Sequence, residues 1–380
     1  MRKRLSDLCV FYSGTGFPMK YQGKVQDELP FYKVGDIANN VVQGNVYLKM
    51  CKNYISETEA KEIKGTIIPP NTVVFAKIGE ALRLNRRAIT TERCLIDNNA
   101  MGIAPLESEI SLKYFYYFMC NLKMESFAES TTVPSVRKSK LEEKEIDLPS
   151  MQEQHNIEKV LDEISTLIQL SKTQLEQYDV LIKSRFVELF GDPMANPKGF
   201  NCYTVGDVIE FQGGSQPDKK YFEYEPTEDN IRLIQIRDYK SDKYITYIPR
   251  TMAKRFCTTD DIMIGRYGPP IFQILKGIEG SFNVALMKAT PRKGNREFIR
   301  QFLKQDCLLE YLEGLSKRTA GQDGIQMDKL KAYPFPYPPI ELQEQFATFV
   351  KHIDKLKVES QKSLEKTQML FNSLMQQYFG

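Results

Sequence analysis

At 380 residues the chain has room for two or three domains with cores of their own, and 42% hydrophobic with 27% charged residues is an ordinary soluble balance. The longest aromatic run, Tyr114 to Cys120, is too short to cross a bilayer, and no apolar segment of a signal peptide follows Met1-Arg2-Lys3-Arg4, so a cytoplasmic protein without a membrane partner is expected. Seven scattered cysteines without a Cys-x-x-Cys pair and only two histidines, His155 and His352, argue against a disulfide framework and a metal site, while a net charge of +3 marks no function by itself.

In chain order, Leu5-Ser6-Asp7-Leu8 leads into a turn-rich loop, Gly14-Thr15-Gly16-Phe17-Pro18. Residues 31–37 and 70–79 read as strands, the second buried and ending in Lys77, Ile78 and Gly79. A basic loop with Arg83, Arg86 and Arg87 follows, then a helical stretch over 112–127 and a polar loop ending in Arg137 and Lys138.

Residues 151–190 contain no Pro and no Gly and should form one helix of roughly 60 Å at 1.5 Å per residue. Pro149 and Ser150 mark its start, and Gly191, Asp192 and Pro193 its stop. Leu161, Ile168, Leu175, Ile182 and Leu189 recur every seven residues beside Ile157, Ile164, Ser171 and Tyr178, as heptad a and d rows require. Val160, Leu167 and Leu181 are expected to widen that stripe.

The second half repeats the first. Val205-Gly206-Asp207-Val208 and Gly213-Gly214-Ser215-Gln216-Pro217 open it, and residues 231–238 and 259–268 read as strands, the latter carrying Arg266 and Tyr267. Arg292, Lys293 and Arg296 form a basic loop, residues 297–315 read as a helix, and a polar loop holds Lys317, Arg318 and Gln322. A shift of 189 residues lays Ile157, Leu161 and Ile164 on Phe346, Val350 and Ile353, Leu175 on Leu364, Ile182 on Phe371, and Phe190-Gly191 on Phe379-Gly380. Such a repeat marks two units of one design. Each unit reads as mixed α/β (α+β) with one sheet core, followed by a long helix, the two helices pairing as an antiparallel coiled coil. Residues 1–150 carry 21 basic and 18 acidic side chains and 192–339 carry 22 and 19, whereas the helices are acidic or balanced. The compact units are therefore the candidates for meeting an anionic partner.

Strand ends and loops bearing Arg, Lys, Gln and Tyr hold phosphates and reach base edges. The DNA-contact candidates are Lys77, Arg83, Arg86, Arg87, Arg137 and Lys138 in the first unit. In the second they are Arg266, Tyr267, Arg292, Lys293, Arg296, Lys317, Arg318 and Gln322. An enzyme reading rests on Pro217-Asp218 with Asp238-Tyr239-Lys240, a nominal PD-(D/E)-x-K nuclease pattern whose carboxylates would hold Mg²⁺. Gly268-Pro269-Pro270-Ile271-Phe272 lacks the amide or carboxylate that an amino-methyltransferase motif needs, and no Walker loop is present. No catalytic, cofactor-binding or metal-ligating residue is assigned.

Two α/β units, each followed by a Pro-containing segment, a Glu-Gln pair (Glu153-Gln154 and Glu344-Gln345) and a long heptad helix, resemble the specificity subunit of Type I restriction-modification enzymes. Leu148-Pro149-Ser150-Met151-Gln152-Glu153-Gln154 and Pro338-Pro339-Ile340-Glu341-Leu342-Gln343-Glu344-Gln345 are similar to that family's helix-start motif, and the likeness covers essentially the whole chain. It implies target-recognition domains at 1–150 and 192–339 and spacer helices at 151–191 and 340–380. It also implies a non-catalytic subunit reading a bipartite double-stranded DNA target, with about two modification (methyltransferase) subunits docked on the helices and ATP-dependent restriction subunits joining them. S-adenosylmethionine, ATP and Mg²⁺ would then sit on those partners and not on this chain. A specificity subunit of a related Type II system, the nuclease, and a protein-binding coiled-coil scaffold remain the alternatives.

Overall fold

A computed structural model describes residues 2–129, 133–267, 271–316 and 325–380. Two compact units result, one of Met1–Thr173 with Gln361–Gly380 and one of Gln174–Ser360, so each contains a length of both long helices.

In the first unit, an antiparallel four-stranded sheet runs in the spatial order Cys9–Ser13, Ala100–Pro105, Val73–Ala76, Arg87–Ile89. A three-stranded sheet places Leu29–Tyr32 between Tyr54–Ile55 and Leu95–Ile96. The second unit repeats the plan with Ile209–Gly213, Leu286–Pro291, Ile262–Gly265 and Gln273–Lys276 in one sheet. Its other sheet has Asn230–Ile234 between Tyr247–Pro249 and Gly280–Phe282, with Phe256–Cys257 at the edge. Each unit thus has two sheets of three or more strands where the sequence reading expected one core sheet. The short strands 54–55, 95–96 and 256–257 carry too few residues to show a period of two.

Each unit is tied off by a ribbon joining its first strand to the one just before a long helix. Arg2–Arg4 pairs with Glu145–Asp147, and Asn201–Thr204 with Pro334–Tyr337.

Two expected strands end early. Residues 31–37 give a strand only to Tyr32, because the Asp36 carboxylate accepts the Lys33 N–H at 2.9 Å and starts the helix Val34–Val42. Residues 231–238 give a strand to Ile234, after which Asp238 N–H donates to Gln235 O at 3.0 Å in a 3₁₀ turn. The helix expected over 112–127 stops at Asn121 and resumes as a 3₁₀ turn at Met124–Phe127, and the one over 297–315 divides into Arg296–Leu303 and Asp306–Ser316.

The long helices span Met151–Phe190 and Ile340–Phe379. Ser150 caps the first reciprocally, its N–H and Oγ donating to Glu153 at 3.0 and 2.8 Å, and Gly191 leaves it at φ +74° with its N–H on Val187 O. Within each unit, early residues of one helix meet late residues of the other. In the first unit Leu161 clusters with Met375, beside half-buried Ile157, Phe371 and Leu374. In the second, Phe346 lies 5.6 Å from Phe186 and 5.3 Å from Phe190, with Ile182, Val350 and Ile353 in the same core, and Lys357 bonds Asp179 at 2.7 Å.

Of the remaining heptad residues, Ile164 and Ile168 are buried and Leu175, Leu189 and Leu364 half-buried. Val160, Leu167 and Leu181 are instead exposed and do not widen the seam. The core reaches the opposite shoulder of the helix, where Phe186 and Phe190 pack on Phe298.

Two buried glutamines fix where each helix begins. Gln154 donates from Nε2 to Pro149 O at 3.1 Å and accepts the Ser111 N–H on Oε1 at 2.9 Å. Gln343 donates to Pro338 O at 2.8 Å and accepts the Asn295 N–H at 2.8 Å. Ser111 and Asn295 are the N-caps of Leu112–Asn121 and Arg296–Leu303. The structural partner of Gln154 is therefore Gln343, two residues before the Gln345 of the repeated Glu-Gln pair.

Candidate nucleic-acid interface

The strand registers sort the basic candidates by sheet end. In the first unit, Ser13 faces Met101, Ala76 faces Ala100, and Phe75 faces Arg87, so these residues share one end of the four-stranded sheet. Lys77 follows directly, its N–H on Asn99 O and its carbonyl accepting the Val136 N–H. That bond brings the 135–138 segment to the same end, and the turn 83–86 leads into the strand Arg87–Ile89 there. All six candidates of this unit therefore converge.

Their availability differs. Lys77 and Arg86 are half-buried and, among the described residues, make no side-chain hydrogen bond or ion pair. Arg83 pairs with Glu80 at 2.7 Å and Glu125 at 3.1 Å, Arg137 with Glu129, and Lys138 with Glu142 at 3.3 Å. These exposed pairs are weak and can exchange for a phosphate. Arg87 corrects the expectation of a basic loop residue. It is 2% exposed and its guanidinium is spent on backbone and amide oxygens of Asn85 and Leu122. Desolvation lowers its pKa.

In the second unit the candidates separate. Gly213 faces Met287 and Gly265 faces Leu286, and at this end Arg266 donates to Val284 O at 3.3 Å and lies over the ring of Tyr267, itself 48% exposed. The other end, where Ile209 faces Pro291, carries Arg292, Lys293 and Arg296 beside the second long helix. Arg292 is exposed, Lys293 sits 3.1 Å over the Tyr203 ring, and Arg296 reaches Asp260 O at 3.5 Å. These three do not join Arg266 and Tyr267. Lys317, Arg318 and Gln322 lie outside the described residues.

The structure adds residues that the misread strand over 231–238 concealed. Gln235 and Arg237 both donate to the buried Thr246 Oγ1, at 3.1 and 3.0 Å. Arg237 and Lys243 flank Tyr244 in a cleft of about 520 Å³ also lined by Tyr224 and Tyr247 and by the carboxylates Glu225 and Asp242. Aromatic faces beside cations are the surface that nucleobases and phosphates favour. Glycine makes the neighbouring turns possible, since a Cβ on Gly14 or Gly214 would run into the carbonyl of Asp97 or Asn283.

A family model, the Type I restriction modification DNA specificity domain, matches residues 1–178 and 197–367. The chain belongs to that family. Among curated relatives it is 25% identical over 282 residues to the Type I restriction enzyme MjaIX specificity subunit of Methanocaldococcus jannaschii, covering 64% of this chain and 63% of the relative. The chain thus spans a little under two thirds of that relative's length. The MjaVIII specificity subunit of the same organism is 25% identical over 307 residues, 71% of each chain. A solved Type I restriction-modification S subunit from M. genitalium superposes over 100% of this chain and 96% of its own, with TM-score 0.55 and 16% identity. A chain from a structure concerned with complex assembly and conformational transition of the type I R-M system gives TM-score 0.59 at 16% identity, covering 100% of this chain and 97% of that one. Each of the two matches covers one α/β repeat and most of the long helix that follows it.

Within this specificity fold the nominal nuclease residues are put to other uses. Asp218 is exposed and caps its own 3₁₀ turn through the Lys220 N–H. Asp238 is buried against Arg232 at 3.4 Å, and desolvation raises its pKa, opposed by Gln235 and Arg232. The two carboxylates share no partner. Among the described residues no three His, Cys, Asp or Glu side chains are grouped to hold a metal ion, and no helix is long and apolar enough to cross a membrane.

Proposed function

We propose that this chain is the non-catalytic DNA-recognition subunit of a Type I restriction-modification complex, each α/β unit reading one half of a split duplex target. One observation carries the reading: both family-matched repeats present positive charge at the corresponding end of the four-stranded sheet, Lys77 and Arg86 in one and a single Arg266 over the exposed Tyr267 ring in the other. Side chains carried at strand ends are held more precisely than those on free loops, and telling bases apart by their edges needs that precision.

The long helices are the docking ground for the methyltransferase subunits. Leu167 and Leu170 in one unit and Val180, Leu181 and Val187 in the other stand exposed on the first long helix, apolar residues that a partner would cover. The partners supply the methyl-transfer site with S-adenosylmethionine, and restriction subunits supply ATP-driven, Mg²⁺-dependent chemistry.

Copurification with methyltransferase subunits, followed by methylome sequencing of a host expressing the complex, tests the reading. The expected result is a split motif, with duplex binding that weakens steeply with salt. Salt-insensitive association, or none, with duplex DNA would instead favour a protein-binding scaffold.

A further inference from the structure

The turn between the strands Val73–Ala76 and Arg87–Ile89 is held at an unusual cost. The Arg87 guanidinium meets no carboxylate: Nη1 donates to Asn85 O at 2.6 Å, and Nη2 to Asn85 Oδ1 at 2.8 Å and Leu122 O at 2.6 Å. Its Nε is buried with no partner. A desolvated cation balanced only by carbonyl dipoles is expensive, so a geometry that persists at that cost needs a return. The return is rigidity. Both oxygens of Asn85 are gripped while its backbone sits in the left-handed region at φ 54°, and the same side chain accepts the Met124 N–H at 3.2 Å.

On this clamped turn Leu84 is 56% exposed, bracketed by Arg83 and Arg86 at the cationic sheet end. A large exposed apolar side chain on a rigid turn, with one arginine before it in the sequence and one after it, matches one surface of duplex DNA, a base edge that is itself apolar and flanked by phosphates. The thymine 5-methyl group in the major groove is that edge.

We propose that residues 83–86 form a base-reading turn of the first unit, in which Leu84 packs on a thymine methyl, Arg86 bears on the adjoining backbone or base, and Arg87 is the positioning residue beneath. This rests on the DNA-recognition reading above and names the chemistry of one of its contacts.

The test uses the full chain with the methyltransferase subunits that copurify with it. Methylome sequencing gives the motif, and exchanging residues 1–150 for those of a relative shows which half belongs to the first unit. Each thymine in that half is then replaced by deoxyuridine, which keeps base pairing and removes only the methyl group. At one position the replacement should weaken binding about four-fold, the worth of one buried methyl group. Leu84→Ala should weaken binding to the thymine duplex comparably and lose sensitivity to deoxyuridine at that position. Arg87→Lys, which keeps the charge and cannot grip both oxygens, should relax base identity in that half alone, while the other half is read unchanged. A Leu84→Ala complex that binds every duplex as the parent does, or a half-site without an A·T pair, overturns the proposal and leaves the recognition reading standing. Absence of any specific duplex binding by the parent complex would remove both.

Discussion

Gln154 and Gln343, 189 positions apart, each join a helix start to the N-cap of a helix in the adjoining α/β fold. Removing either side chain leaves a buried backbone N–H without an acceptor, so Gln154→Ala and Gln343→Ala should each cost about 1–3 kcal/mol in denaturant unfolding. The 189-residue shift already lays Gln154 on Gln343, but the Glu-Gln pair, which recurs with a two-residue offset, draws the eye to Gln345 instead. Arg86 and Arg87 teach the same lesson more sharply. Adjacent and identical in type, they differ in burial because a strand buried at every position begins at Arg87, whereas Arg86 lies in the turn before it. Asp218 and Asp238 are likewise inseparable as letters. Asp218→Ala should leave stability within about 0.5 kcal/mol, and Asp238→Ala should destabilise the second unit by removing the buried carboxylate that Gln235 and Arg232 bond, although Arg232 keeps Asp242 at 3.0 Å. Neither should abolish restriction by the complete complex while DNA binding is retained. Loss of cleavage alone in either variant would restore the nuclease reading.

Among elements, the long helices were the most legible part of the chain and their faces the least. A 40-residue run without Gly or Pro, capped at Ser150 and closed at Gly191, could be nothing shorter. Which residues lie inward depends on the α/β fold beside the helix, so heptad spacing alone misplaced Leu167 and overlooked Phe186. Leu161→Ala, at a fully buried site, should cost about 2–5 kcal/mol. Leu167→Glu should leave thermal unfolding nearly unchanged and reduce capture of methyltransferase subunits in pull-downs. Equal recovery of partners by the Leu167 variant would remove that face from the docking surface. The sheets were legible where strands are long and apolar, as at Val73–Ala76 and Ile262–Gly265. They were obscured where an Asp caps a turn immediately after a strand.

For the molecule as a whole, the repeat predicts modular reading. Exchanging residues 1–150 for those of a relative should change one half of the methylated motif and leave the other intact. Deleting one heptad from each long helix, Ile168 to Gln174 and Lys357 to Ser363, removes about 10 Å from each. It should shorten the unread spacer by roughly three base pairs, at 3.4 Å each, with the half-sites unaltered. The composition of the first unit has a further consequence, in time. Against its core packs Phe379, its ring tilted on Tyr114 with centroids 5.1 Å apart, and the Phe379 carbonyl accepts a hydrogen bond from Asn121 at 2.9 Å. Residues 174–360 are contiguous and have all their own contacts once residue 360 has left the ribosome. The unit that is translated first therefore stays unfinished until residues 361–380 return to it, and a chain ended after Ser360 should hold a second unit that resists protease while its first is still cut.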